Sequence, residues 1–98
     1  MREITPEQLH RWLQQEKIFL VDVREPYEHE EFNIGGHLIP LGSIISMSDT
    51  LPKETPVIVY CKRGIRSQIA IQRLQDKFGF TNLINLKGGM VAGKKILG

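Results

Sequence analysis

A stretch of seven consecutive residues combines one thiol, three cations and a glycine: Cys61-Lys62-Arg63-Gly64-Ile65-Arg66-Ser67. It follows the apolar run 57–60 and opens a segment with helical periodicity. Where a strand turns tightly into a helix, successive backbone N–H groups point into one small bowl that favours negative charge. Nearby cations and a helix N-terminus both stabilise a thiolate, so we expect Cys61, the only cysteine of the chain, to be a nucleophile near neutral pH. The alternative is a buried cysteine that merely ends a core strand, with the arginines on a solvated helix start.

Three apolar runs and the helical segments around them determine the predicted fold. Residues 18–23 are nearly continuous in apolar side chains and too short for a helix, which is typical of a strand buried on both faces of a parallel sheet. Residues 57–60 and 82–86 are predicted to be strands as well. Because strands alternate with helices, the sequence predicts an α/β three-layer domain with a mainly parallel sheet, in which residues 1–98 form a single domain.

Two longer helices are predicted around this sheet. The first begins at Pro6, with Thr5 as N-cap and Gln8 closing a capping box, and runs to about Glu16. Its apolar stripe comprises Leu9, Trp12 and Leu13. The second helix follows the cysteine loop and ends at Gly79, which is placed to adopt a positive φ. Its apolar stripe comprises Ile65, Ile69, Ala70, Leu74 and Phe78.

Composition argues against several classes of function. The 98 residues are 41% hydrophobic and 24% charged, with 13 basic and 11 acidic residues interspersed and a formal net charge of +2. There is no long basic stripe of the kind that binds nucleic acid. No apolar stretch approaches the roughly 20 residues of a membrane span, and no signal peptide is apparent. A single cysteine cannot form an internal disulfide, so we expect a cytoplasmic protein, although the cysteine count alone does not exclude export.

The spacing of the cysteine loop resembles the active-site loop of the rhodanese-like sulfurtransferases. The pattern of that family is Cys, two variable residues, Gly, one variable residue, Arg and Ser, and it is matched by Cys61, Gly64, Arg66 and Ser67. Protein tyrosine phosphatases and related arsenate reductases place five residues between the cysteine and the arginine, whereas this chain has four. By resemblance, the shorter loop suits a sulfur atom carried on cysteine and the longer one a tetrahedral phosphate.

A second element of the family lies at the end of the first apolar run. Asp22 and Arg24, followed by an acidic residue and Pro26, match it. Sites in open α/β sheets form beyond the carboxyl ends of the strands, so we expect Asp22 and Arg24 to project toward the same end as Cys61. Two interpretations remain open. The pair holds the loop or orients a substrate, or it is a structural salt bridge.

The match is partial in the region that follows. A short polar helix or turn is predicted at 28–32, and Asn33 stands where the family usually has a histidine. Asn can replace a hydrogen bond of His without carrying a proton, which favours a structural role there. We treat His29 and His37 as non-catalytic, because no cysteine or carboxylate at recognised ligand spacing joins them into a metal site.

The end of the chain resembles the closing signature of the family. Residues 86–92 match its Leu-x-Gly-Gly-x-x-Ala portion, but Gly93 stands where tryptophan is usual. An indole buries on the order of 200 Å², so its loss is expected to weaken the C-terminal packing. Residues 93–98 are predicted to be a poor helix.

The resemblance implies a sulfurtransferase with a five-stranded, rhodanese-like fold. Cys61 would take sulfane sulfur from thiosulfate or a protein persulfide, carry it as a persulfide, and pass it to a thiol, cyanide or a sulfur-carrier protein. The backbone amides from Lys62 through Ser67 would stabilise the persulfide, while Arg63 and Arg66 attract an anionic donor. No metal or organic cofactor is implied, and a cysteine desulfurase or a ubiquitin-like sulfur carrier is an implied partner. The alternatives are a non-catalytic rhodanese-like interaction module and a cysteine-dependent phosphatase.

Overall fold

A computed structural model describes residues 1–15 and 17–97. The strands are β1 Glu3–Ile4, β2 Phe19–Asp22, β3 His37–Leu38, β4 Val57–Tyr60 and β5 Leu83–Leu86. The α-helices are α1 Pro6–Gln15, α2 Pro26–Glu31, α3 Ile65–Phe78 and α4 Gly89–Leu97. Two short 3₁₀ helices, at Leu41–Ser43 and Ser48–Thr50, lie between β3 and β4. Among the described helices, none is long and apolar enough to cross a membrane.

The five strands form one parallel sheet in the order β1-β5-β4-β2-β3. The predicted α/β fold with a parallel five-stranded sheet is therefore confirmed. β4 is central, with β2 on one side and β5 on the other, so that the end of β4 is flanked by the ends of two further strands. The first two-residue strand, β1, was not located by the sequence pattern, because it is held by pairing with distant β5 rather than by its own composition.

Side chains of β4 alternate between two apolar clusters, one on each face of the sheet. Val57, Val59 and Cys61 face the cluster that contains α3, whereas Ile58 and Tyr60 face the cluster formed with α1 and α4. All five are at most 1% exposed. Burial of a side chain of this size contributes roughly 1.5–3 kcal/mol. The central strand thus joins both halves of the core and fixes the position of Cys61.

Helix α1 starts as predicted. The N–H of Thr5 donates to Oε1 of Gln8 at 2.9 Å, and the N–H of Gln8 donates to Oγ1 of Thr5 at 3.1 Å, which completes the capping box. The predicted end at Glu16 lies outside the described residues. Within the predicted stripe, Leu9 is fully buried, but Leu13 is 43% exposed, so its assignment to the core was wrong.

The buried stripe of α3 is displaced from the predicted one. Three of the predicted residues are exposed, namely Ile65, Ile69 and Phe78. The buried residues of α3 are Ser67, Ala70, Ile71 and Leu74. Ser67 lies on the buried face, where its hydroxyl donates to Asn85 on β5. A stripe that includes a small polar side chain is not detected by counting apolar residues at helical spacing.

The C-terminal segment is a helix, contrary to the prediction. α4 continues through Gly93 to Leu97. Gly93 is buried, and a Cβ placed on it would lie 3.1 Å from Cδ1 of Leu97. The leucine side chain therefore covers the glycine and packs against the cluster on that face of the sheet. The prediction of a poor helix for 93–98 is wrong over residues 93–97, because Leu97 supplies packing that the missing indole does not.

Candidate active site

Cys61 lies at the carboxyl end of β4 and is 1% exposed. Its Sγ accepts the backbone N–H of Gly64 at 3.0 Å and that of Ser67 at 3.4 Å. Gly64 has a φ of 97°, a left-handed conformation that costs glycine little, and it turns the chain directly into α3. Two backbone donors at the start of a helix face the sulfur, which is the arrangement that stabilises an anionic sulfur.

A chain of hydrogen bonds leads from the sulfur of Cys61, by way of Ser67 on α3 and Asn85 on β5, to Glu3 on β1. Oγ of Ser67 lies 3.5 Å from Sγ of Cys61, and the Ser67 hydroxyl contacts Oδ1 of Asn85. Nδ2 of Asn85 donates to Oε2 of Glu3 at 3.1 Å. An ionised carboxylate only accepts, so Glu3 orients the amide of Asn85, and the Ser67 hydroxyl must donate to Oδ1. Ser67 therefore presents oxygen lone pairs to Cys61.

The N-terminus of α4 fixes the backbone at the start of the loop. The N–H of Met90 donates to the carbonyl of Cys61, and the N–H of Val91 donates to that of Lys62, both at 2.9 Å. Gly89 permits this approach, since a Cβ there would lie 2.5 Å from the Cys61 carbonyl oxygen. The glycine at position 89 thus has a steric reason, which is its close passage over the cysteine loop, whereas a Cβ on Gly88 would lie 2.6 Å from Cβ of Ala92.

Arg66 is paired with Glu28 of α2. Its Nη1 donates to Oε1 of Glu28 at 2.7 Å, and its Nη2 donates to Oε2 at 3.0 Å. These hydrogen bonds from Arg66 lower the pKa of Glu28 to about 2, and the same contact raises the pKa of Arg66. An anion that binds Arg66 must therefore compete with a carboxylate that is already in place.

The other predicted loop residues differ in exposure. Lys62 and Arg63 are exposed and form no ion pair among residues 1–15 and 17–97. Ile65 is 66% exposed, so its side chain lies at the surface at the beginning of α3. The loop thus combines a buried sulfur with cations and an apolar side chain at the rim.

Asp22 and Arg24 form a buried network on the other face of the sheet from Cys61. Arg24 contacts both carboxylate oxygens of Asp22 at 2.8–3.1 Å and donates to the carbonyl of Phe32 at 2.7 Å. Nδ1 of His29 lies 2.8 Å from the same carboxylate. Burial raises the pKa of Asp22, but the hydrogen bonds from Arg24 and His29 outweigh it and leave the pKa below its usual value. The two residues form an ion pair, as anticipated, but it does not contact Cys61.

A pocket of about 320 Å³ lies between α2 and α4, beside the loop. Its lining includes Arg24, Glu28 and Lys62, so the pocket connects the Asp22 network to the rim of the cysteine loop. The remaining lining is provided by Tyr27, Glu31, Phe32, Met90, Val91 and Lys94.

Sequence reasoning missed three polar residues of this region. Glu28 lies 38 positions from Arg66, and Asn85 lies 18 positions from Ser67. Neither contact is therefore indicated by a pattern of neighbouring residues in the sequence. The sequence indicated no catalytic or metal-binding role for His29 or His37. In the structure, Nδ1 of His29 lies 2.8 Å from the Asp22 carboxylate, and His37 stacks on Phe19 with ring centroids 4.2 Å apart. Asn33, as expected, has a structural environment.

Asn33 shows how a backbone-directed amide replaces the usual histidine. Its Nδ2 donates to the carbonyl of His29, and its Oδ1 accepts the N–H of Gly35, both at 2.8 Å. Both partners are backbone groups, one in α2 and one in the segment that leads to β3. Asn33 therefore closes the segment between α2 and β3, and among the described residues its side chain makes no hydrogen bond to the sulfur.

Comparison with known proteins agrees with this geometry. Residues 5–95 match the family model described as Rhodanese-like domain. The chain is 40% identical over 96 residues to the probable adenylyltransferase/sulfurtransferase MoeZ of Mycobacterium tuberculosis, a match that covers 94% of this chain and 24% of that protein. It is 35% identical over 99 residues to a sulfurtransferase of Allochromatium vinosum, covering 94% of this chain and 87% of that protein. The chain therefore belongs to the rhodanese-like domain family.

The chain is also similar to a relative with a different name and to a solved structure. A tRNA uridine(34) hydroxylase of Chlamydia trachomatis is 32% identical over 100 residues, covering 93% of this chain and 30% of that protein. The crystal structure of a rhodanese-like domain protein from Staphylococcus aureus superposes with a TM-score of 0.85 at 28% identity, covering 95% of this chain and 91% of that one. The chain spans about a quarter of the length of MoeZ, so the match concerns one part of that protein.

Proposed function

We propose that this protein is a sulfurtransferase that carries sulfane sulfur as a persulfide on Cys61. The observation that carries the proposal is the pair of backbone N–H groups, from Gly64 and Ser67, directed at the Cys61 sulfur at 3.0 and 3.4 Å. Membership of the rhodanese-like family, with relatives named as sulfurtransferases, supports it. Residues 1–98 act as one domain in this proposal, and their cytoplasmic location stays a prediction.

The reaction has two steps in which atoms and charges balance. The Cys61 thiolate attacks the outer sulfur of the donor, a sulfur–sulfur bond forms on the enzyme, and the donor's own bond to that sulfur breaks. With thiosulfate, the leaving group is sulfite. An acceptor such as a thiolate or cyanide then attacks the outer persulfide sulfur and releases the Cys61 thiolate. The amides of the loop act by holding negative charge on sulfur in both steps.

The exposed cations of the loop and the single cysteine each have a consequence for this reaction. The exposed cations Lys62 and Arg63 raise the local concentration of an anionic donor at the rim. The sulfur acceptor must come from outside the chain, because Cys61 has no second cysteine to resolve the persulfide. A cysteine desulfurase as donor and a ubiquitin-like sulfur carrier as acceptor fit this requirement, and the name of the MoeZ relative, which joins adenylyl and sulfur transfer, supports such a relay.

The proposal is tested by intact mass after incubation with a sulfane donor. Wild-type protein should gain one sulfur atom, and the gain should be lost on treatment with cyanide. Cys61→Ser should gain none while keeping its thermal unfolding temperature within a few degrees, because serine fits the site but is a poor carrier of sulfur. Sulfur transfer that persists in Cys61→Ser would exclude Cys61 from the mechanism.

The four residues between Cys61 and Arg66 further favour sulfur over phosphorus in this proposal. The protein should not hydrolyse an aryl phosphate, and millimolar phosphate should not protect Cys61 from alkylation. Hydrolysis of the phosphate, with no persulfide on Cys61, would overturn the sulfurtransferase proposal in favour of a phosphatase.

A further inference from the structure

The cation expected to bind an anionic donor is already occupied. Both terminal nitrogens of Arg66 donate to Glu28, one to each carboxylate oxygen, at 2.7 and 3.0 Å. This paired, two-contact geometry is the strongest form of arginine–carboxylate interaction. Lys62 and Arg63, by contrast, have no ion-pair partner in the described parts of the chain. The loop thus contains two cations at the rim and one that is neutralised.

Glu28 is held in position independently of Arg66. Its Oε1 accepts the backbone N–H of Glu25 at 3.2 Å, in the capping box that begins α2. Its side chain is 14% exposed. With a pKa of about 2, Glu28 is ionised throughout the pH range in which proteins are usually assayed. The carboxylate is therefore a fixed negative charge and not a mobile surface group.

A fixed carboxylate on Arg66 affects donors according to their charge. The attraction between Arg66 and an incoming donor scales with the charge of the donor, so a dianion at a given distance loses twice as much attraction as a monoanion when Glu28 neutralises Arg66. An anionic donor gains from Arg66 only if it displaces Glu28. The loss is smaller for a donor that carries one charge and absent for a neutral donor.

We propose that Glu28 is a donor-selectivity residue, which withholds Arg66 from dianionic donors such as thiosulfate and so favours sulfane donors of low charge. The persulfide of a protein cysteine belongs to that favoured class. This inference rests on the proposed function of Cys61 as a persulfide carrier. It assigns to Glu28 no part in the bond-making steps: the residue acts through Arg66.

The test compares two donors that differ in charge but deliver sulfur by the same chemistry. Thiosulfate is a dianion with sulfite as leaving group, and benzenethiosulfonate is a monoanion with a sulfinate as leaving group. In each case the Cys61 thiolate takes the outer sulfur, and the leaving group departs with the electron pair of the broken sulfur–sulfur bond. Single-turnover rates of persulfide formation are measured by intact mass with each donor.

The central variant is Glu28→Gln, and Glu31→Gln is its matched control. The amide introduced by Glu28→Gln keeps an oxygen for the Glu25 N–H but loses the charge, whereas Glu31 is an exposed residue of the same helix and pocket without an ion pair in the described residues. Glu28→Gln should accelerate persulfide formation from thiosulfate by about 10-fold and from the thiosulfonate by about 3-fold. Glu31→Gln should change either rate by less than about 2-fold, because its charge is solvated.

A double-mutant cycle separates sequestration of Arg66 from simple repulsion. If Glu28 acts by occupying Arg66, most of the gain from Glu28→Gln should vanish when it is introduced into Arg66→Gln. A gain of equal size in both backgrounds would overturn the proposal. The proposal also fails if Glu28→Gln behaves like Glu31→Gln, or if it changes the rates with the two donors equally.

The selectivity is expressed as the rate ratio of thiosulfonate to thiosulfate. This ratio should be larger for wild-type protein than for Glu28→Gln, in which Lys62 and Arg63 are unchanged, and equal ratios would overturn the proposal. This outcome is distinct from failure of the proposed function. If neither donor forms a persulfide on wild-type Cys61, the proposed function itself is wrong. If the persulfide forms but Glu28→Gln has the same rate ratio as wild type, the proposed function stands and only the role of Glu28 is wrong.

Discussion

Two polar groups are buried at the carboxyl ends of neighbouring strands, and they are satisfied in different ways. Asp22, at the end of β2, is 0% exposed and accepts hydrogen bonds from Arg24, with His29 against the same carboxylate. Cys61, just beyond β4, is 1% exposed and is contacted by two backbone amides and one hydroxyl. One cluster matches charge with charge, whereas in the other two neutral backbone amides donate to the sulfur and the Ser67 hydroxyl presents its oxygen lone pairs to it.

This difference supports a structural role for the Asp22 cluster and the proposed reactive role of Cys61. The charges of Asp22 and Arg24 cancel, and the network ends on a backbone carbonyl at Phe32, so little is left to bind a ligand. Within the described residues, the amides of Gly64 and Ser67 donate to Sγ of Cys61 and to no carboxylate, so they are available to negative charge on sulfur. The contacts of the Asp22 pair therefore favour the structural interpretation, which stays a prediction.

The largest effect is expected for a substitution that disrupts the cluster of Asp22, Arg24 and His29. Asp22→Asn removes the charge that compensates buried Arg24, and loss of one partner of a buried ion pair should cost about 3 kcal/mol of unfolding free energy. Denaturant unfolding measures the loss, with Asp76→Asn, an exposed aspartate of α3, as the control that should change stability by less than about 0.5 kcal/mol. The rate of persulfide formation per folded molecule should be nearly unchanged. A stability equal to that of the control would show that the network is not structural.

A smaller loss of stability is expected for a substitution beside Cys61, at Ser67. Ser67→Ala leaves the buried Oδ1 of Asn85 without its hydroxyl donor, which should cost about 1–2 kcal/mol. Replacing both partners, in Ser67→Ala with Asn85→Leu, should recover part of that loss, because no buried acceptor is then left unpaired.

The rate of persulfide formation in Ser67→Ala tests how much the hydroxyl contributes compared with the backbone amides. Ser67→Ala keeps the backbone amide that contacts Sγ, so persulfide formation should slow by less than about 10-fold, far less than the complete loss in Cys61→Ser. Loss of all sulfur transfer in a folded Ser67→Ala protein would contradict the assignment of charge stabilisation to the backbone amides.

The sequence was sufficient to predict the parts of this site that are local in the chain. The strand before Cys61, the turn at Gly64 and the helix that follows are all fixed by a few consecutive residues, and the structure has them where they were expected. The capping box at Thr5 and the positive φ of Gly79 are local in the same way. Backbone geometry over short distances depends on residue type, and the sequence contains that information directly.

The side-chain contacts of Arg66 and Ser67 could not be predicted from the sequence, because each joins residues that are far apart in the chain. Glu28 reaches Arg66 only after the fold brings α2 and the start of α3 to the same end of the sheet. Asn85 reaches Ser67 because odd-numbered residues of β5 face α3, a fact that depends on strand register. Leu13 was misplaced for a related reason, since the width of the buried face of α1 depends on what packs against it.

The smallest expected effect concerns the pH dependence of stability. The pKa of Glu28 is about 2 in the folded protein, below its ordinary value of 4.5, so its ion pair stabilises the fold above pH 4.5 and this stabilisation is lost as the pH falls toward 2. Because the pair is partly solvated, its contribution should be about 1 kcal/mol. Unfolding free energies measured from pH 5 to pH 2 should fall less steeply in Glu28→Gln than in wild type. Parallel curves would show that the pair does not contribute to the fold.

Isolation of the loaded intermediate tests the central claim most directly. Wild-type protein is treated with a sulfane donor, separated from it, and then mixed with cyanide, with thiocyanate and protein mass followed together. We expect one thiocyanate for each persulfide lost from Cys61, with return to the mass of the free thiol. A persulfide that cyanide does not discharge, or thiocyanate that appears only while free donor is present, would contradict the claim that Cys61 carries the transferred sulfur.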